Sequence, residues 1–113
     1  MRLVLSTFAS EADAEAATRT LIGERLAACG TLLRGARSIF WWEGRIQEEN
    51  EVMVLFKVPD PGYAAFVARL REIHPYQTPE IVALASADVD PAYEAWLEST
   101  CHAGENFSQE NDL

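Results

Sequence analysis

The sequence predicts one α+β domain of ferredoxin-like type, ordered β-α-β-β-α-β, with an extra C-terminal helix and an unusually long hairpin between its second and third strands. Three observations predict it. Strand-like alternation runs from Ala28 to Lys57, broken only by glycines. Two stretches of helical spacing flank that region, each opened by a capping signal. Short apolar runs, Leu3–Phe8 and Glu80–Ala85, supply the outer strands.

Leu3–Phe8 suits a buried strand. Ser10 is set to cap the next helix, with Asp13 three residues on and Glu11 and Glu15 near its positive end. Ala14, Ala17, Leu21, Ile22 and Leu26 share a helical face, which predicts a helix to about Leu26. In the hairpin, Gly35 suits a bulge or bend, and Glu43-Gly44 suits the tip because glycine reaches positive φ at low cost. Val52, Val54 and Phe56 alternate with Met53 and Leu55, so both faces of the return arm are apolar and both need cover. Asp60-Pro61 reads as the cap and first-turn proline of a second helix carrying Tyr63, Phe66, Val67, Leu70 and Ile73. His74-Pro75 ends it, since a residue before proline is pushed out of the α region. Asp90-Pro91 repeats the cap signal for a short helix with Tyr93, Trp96 and Leu97 inward. The domain is expected over residues 1–100, with 101–113 a flexible acidic tail.

Composition narrows the function classes. Of 113 residues 49% are apolar, enough for a core without disulfides or a structural metal. No run of apolar residues is long enough to span a membrane, and MRLVLSTFASEADAE turns acidic too early for a signal peptide. A cytoplasmic protein with no membrane partner is the expectation. Two cysteines, Cys29 and Cys101, with no CxxC, do not make a disulfide framework or a thiol-rich zinc site. A net charge of −9 and a single lysine argue against a nucleic-acid partner.

Chemistry-bearing residues are few. HPYQTPE, from His74 to Glu80, holds an imidazole, a phenol and a carboxylate between two prolines. Imidazole and carboxylate bind first-row metals, while a histidine there also suits a helix C-terminus. Cys29 fits either a soft thiolate ligand or a small buried residue, and Cys101-His102 offers a second thiol and imidazole. Glu43, Glu48, Glu49 and Glu51 around Arg45 suit a hard cation, a subunit contact or a solvated strand edge. No GxSxG, HExxH, GxxxxGK[ST] or GxGxxG is present, so no enzyme is expected. Ile39, Phe40, Trp41 and Trp42 lie too far along the hairpin for two helices to cover, which predicts an oligomer.

Five motifs in order, LAAC (Leu26–Cys29), SIFWWEG (Ser38–Gly44), EVMVLFK (Glu51–Lys57), HPYQTPEI (His74–Ile81) and YEAWL (Tyr93–Leu97), resemble the CutA divalent-cation tolerance family. The resemblance implies a trimer of ferredoxin-like protomers with hairpins pairing across subunits, no enzymatic activity, and a response to divalent metal ions, copper among them. It places copper-ligand positions at Ser6, Ile73 and His74, of which only His74 is a good copper ligand. Phe40 stands where a tyrosine is common and Thr31 where an asparagine is usual. The expected metal ligands are therefore His74 and Glu80, for Cu(II) or another divalent cation. Trp42, Glu43, Lys57 and Tyr76 are the candidates to line a subunit cleft. The family also looks like the PII signalling proteins, so a signalling or scaffolding trimer binding a small anion or a protein, through Lys57, Arg34 and Arg37, is the alternative.

Overall fold

Alternation and capping translate into β1 (Arg2–Phe8), α1 (Glu11–Gly23), β2 (Cys29–Trp42), β3 (Arg45–Val58), α2 (Tyr63–Ile73), β4 (Val82–Ala85) and α3 (Pro91–Thr100). The computed structural model describes residues 1–101; the expected acidic tail and His102 lie outside the described residues. The strands form one antiparallel sheet in the order β2-β3-β1-β4, which is the ferredoxin-like arrangement.

Ser10 caps α1 as its chemistry dictates, its hydroxyl accepting from Asp13 N–H at 3.1 Å. The helix stops at Gly23, short of Leu26, because Arg25 takes a positive φ of 63° and turns the chain. Ile22 and Leu26 still pack on the core, one from the helix and one from the turn after it. Asp60 is not the cap of α2. Flanked by prolines, Asp60–Gly62 forms a single 3-10 turn, and Gly62 occupies the cap position without a side-chain bond. The Asp60 carboxylate instead meets the N-terminal amine and Arg2, at 3.3 and 3.4 Å. Asp90 does cap α3, accepting from Ala92 and Tyr93 N–H. Of the three residues expected inward on α3 only Leu97 is buried, while Tyr93 and Trp96 stay 37% and 46% exposed.

One face of the sheet carries the core. Val4 and Phe8 of β1 and Val54, Phe56 and Val58 of β3 pack on Ala14, Ala17 and Leu21 of α1 and Phe66 and Leu70 of α2. Phe56 and Phe66 meet edge to face, 5.2 Å between centroids. Gly30 permits the close approach of α1 to β2, since a Cβ there would stand 2.6 Å from Thr18 Cγ2. The alternation of side chains puts Leu3, Leu5, Leu33, Met53, Leu55, Val82 and Leu84 on the opposite face. Neither α1 nor α2 packs on that face: α3 comes near it only at its Cys29 end, and Leu33, Val82 and Leu84 are 43–49% exposed.

The hairpin pairs from Cys29↔Lys57 to Trp42↔Arg45, with the register shift between Leu33 and Ala36 that Gly35 allows. Glu43 and Gly44, with φ of 51° and 79°, make the tip. This is the primed turn whose twist matches that of the flanking strands. Its 14-residue arms outrun the helices, giving extents of 53 × 28 × 22 Å. Beyond them Ile39, Trp41, Trp42 and Ile46 are 53–70% exposed.

Candidate functional site

His74 sits where α2 ends, in extended backbone before Pro75, and its ring turns inward to 6% exposure. It stacks on Phe8 with centroids 4.3 Å apart and planes 12° from parallel. Both ring nitrogens are bonded: Tyr76 N–H donates to Nδ1 at 3.1 Å, and Nε2 lies 2.9 Å from the Thr7 carbonyl. A carbonyl only accepts, so Nε2 carries the proton and the ring is the neutral Nε2–H tautomer. Burial holds its pKa below the ordinary histidine value, against the opposing pull of the Thr7 carbonyl and of Asp13 and Glu51. Neither nitrogen presents a lone pair to a ligand, and coordination there requires one of the two bonds to break.

Next to this ring the chain forms an open cleft of about 500 Å³ between the hairpin and the HPYQTPE turn, lined among others by Phe40, Trp42, Glu49, Glu51, Tyr76 and Gln77. Tyr76 O–H donates to Glu51 Oε2 at 2.7 Å, tying turn to hairpin. Burial, and then that carboxylate, push the phenol's pKa up, so Tyr76 stays a neutral donor. An aromatic wall facing two carboxylates suits a positively charged visitor.

The cleft joins two of the expected residues, Trp42 and Tyr76, and leaves the others elsewhere. Glu80 is exposed and does not line it. Glu43 turns back to accept from Trp42 Nε1 at 3.0 Å. Lys57 is at the far end of the hairpin, where its Nζ donates to Thr31 Oγ1 at 2.5 Å and lies 3.7 Å from Cys29 Sγ. Arg34 and Arg37 are paired with Glu11 and Glu48 and do not join Lys57. Ser6 is fully buried with no partner for its hydroxyl among the described residues. Cys101 is half-buried rather than an exposed thiol, and burial pushes its pKa to about 11. The cleft carboxylates Glu49 and Glu51 belong to the acidic set singled out on the hairpin from sequence, and their shared face with Phe40 and Trp42 was legible too. Once Glu43-Gly44 is the turn, Trp42↔Arg45, Phe40↔Gln47 and Ser38↔Glu49 follow, and alternate residues share a face.

A divalent cation needs several of these donors at one point. Among the described residues no three His, Cys, Asp or Glu side chains converge in that way. With His74 engaged at both nitrogens, a single copy does not fit a metal centre.

Sheet order, long hairpin and added helix define the class: a small ferredoxin-like α+β protein with an extended, aromatic-tipped hairpin. The chain belongs to the CutA1 divalent ion tolerance protein family, whose model matches residues 2–100. It is 42% identical over 98 residues to a divalent-cation tolerance protein CutA of Yersinia pestis, covering 87% of this chain and 82% of that one. Among solved structures it is similar to a D60A mutant of CutA1 from Pyrococcus horikoshii, with TM-score 0.88 and 35% identity over 90% of this chain and 99% of the other. It is also similar to the divalent cation tolerance protein Cut A1 of Thermus thermophilus, with TM-score 0.85 and 36% identity over 90% and 100% of the two chains.

Proposed function

We propose that the chain works as a non-enzymatic homotrimer in divalent-cation tolerance, in the cytoplasm, with the cation held where the cleft of one copy meets a second. The observation that carries this reading is the pair of uncovered apolar surfaces: the open sheet face with Leu33, Val82 and Leu84, and the hairpin end with Ile39, Trp41 and Ile46. Full burial of such a side chain is worth about 1.5–3 kcal/mol, and covering the part still exposed with further copies of the same chain gains roughly half of that each. Glu49 and Glu51 are the charged oxygen donors one copy brings to the cleft, beside the neutral oxygens of Gln47, Gln77 and Thr78, and further charged ligands would come from a neighbour. Copper is the cation the family resemblance points to, although its usual nitrogen and sulfur donors are scarce here.

Calorimetric titration of Cu(II), Zn(II) and Ni(II) into the full chain tests the cation site, with light scattering giving the assembled mass. Binding that weakens at least about tenfold in Glu49→Gln/Glu51→Gln and is unchanged in His74→Gln supports the carboxylate cleft. Binding lost only in His74→Gln moves the site to the imidazole. A monomeric mass at all concentrations sinks the subunit-boundary reading.

A further inference from the structure

Lys57, the only lysine in the sequence, lies on the open sheet face in one cross-strand row with Cys29 of β2, Leu3 of β1 and Leu84 of β4. It is half-buried, and its ammonium touches only neutral groups: the Thr31 hydroxyl at 2.5 Å and the Cys29 sulfur at 3.7 Å. Nearby on α3, burial and then the Cys29 thiol hold the Tyr93 phenol's pKa above its ordinary value. No carboxylate pairs with Lys57 among the described residues, although the chain has 18 acidic side chains against 9 basic ones. Arg2, Arg19, Arg34, Arg37 and Arg69 all have carboxylate partners. Here an acidic protein keeps its carboxylates away from a cation set in an apolar surface. Covering that face would desolvate an uncompensated ammonium, which is costly unless an anion accompanies it.

We propose that Lys57, with the Cys29 thiol and the Thr31 hydroxyl, forms an anion site that takes a carboxylate or a small tetrahedral oxyanion. The three groups provide one fixed charge and two short neutral donors, a set suited to oxygen acceptors. The anion is either a free solute or a carboxylate of a second copy. The inference rests on the reading that further copies cover the open face, and its test separates the two.

Inorganic phosphate is added to the full chain and its 31P line width followed, in the parent, Lys57→Met and Lys57→Arg, with the dissociation concentration of each measured by light scattering. A free-anion site broadens the phosphate line in the parent, loses at least about fivefold of that effect in Lys57→Met, and keeps most of it in Lys57→Arg. A carboxylate from a second copy gives no phosphate effect, and Lys57→Met then raises the dissociation concentration at least about fivefold, because it strands the partner's charge. The proposal is overturned if phosphate is ignored and Lys57→Met assembles as well as, or better than, the parent. The sign is decisive, since removing a merely buried and unpaired ammonium should strengthen assembly. A parent that stays monomeric defeats the assembly reading, while phosphate broadening that depends on Lys57 would still uphold the site.

Discussion

Ser6 lies in the core row between Val4 and Phe8, fully buried, its hydroxyl unpartnered among the described residues. A buried hydroxyl that makes no hydrogen bond keeps its desolvation cost and gains nothing in return. Ser6→Ala is therefore expected to raise unfolding free energy by about 1 kcal/mol, read from urea midpoints at constant m. A loss of stability would show that the hydroxyl has a partner after all. His74 is the other residue whose burial has a measurable consequence. Its folded-state pKa is depressed, chiefly by burial, so the unfolded chain binds a proton first as pH falls. The imidazole's contribution is intact above the unfolded value near pH 6.5 and is lost as pH drops from there through the folded-state pKa. The urea midpoint should fall between about pH 7 and pH 5, and this fall should be smaller in His74→Gln. Equal slopes in the two proteins would remove the imidazole from the account. The spacing that put an imidazole beside a helix end was legible in the sequence; that both nitrogens would be bonded inside the chain was not, because Thr7 is 67 residues away.

At the scale of elements, the hairpin and its tip were readable because few residues tolerate what Glu43-Gly44 must do, and Gly35 marked the bulge. Element ends were harder. Apolar spacing runs on through Ile22 and Leu26, yet the helix has already turned at Arg25, because a turn keeps both side chains on the core as well as a helix would. Asp60 looked like a cap, but prolines on either side gave it a tight turn and ion pairs instead. Tyr93 and Trp96 share a helical face with Leu97 yet stay partly exposed, their rings set against each other with centroids 5.5 Å apart. The meeting of α1 with β2 gives a sharper test. An alanine methyl at position 30 would stand 2.6 Å from Thr18 Cγ2, so Gly30→Ala should destabilise by about 1–3 kcal/mol. Thr18→Ser, which deletes the offending methyl, should restore most of it in the double variant. Additive losses would mean the strain arises elsewhere.

For the whole molecule, the apolar surfaces and the net charge act in opposite directions. Cover for the open face and hairpin end favours association, while a charge of −9 per chain makes copies repel. Raising salt from about 0.02 to 0.5 M should therefore tighten assembly by screening that repulsion. Trp41→Ser, at a side chain 70% exposed in the single chain, should loosen it, with the fold unchanged by circular dichroism. Sedimentation of both proteins across salt reads the two effects, and assembly indifferent to Trp41 would take the hairpin end out of the interface. The sequence placed this apolar surface beyond the reach of the helices, whereas the cleft beside Tyr76 depended on a turn folding back to Glu51, 25 residues earlier. The solitary lysine has a practical side. Apart from the α-amino group, amine acylation can mark the chain at one side chain only, and that side chain stands on the open face of the sheet. Its labelling rate is thus a one-site clock for how long that face is left bare.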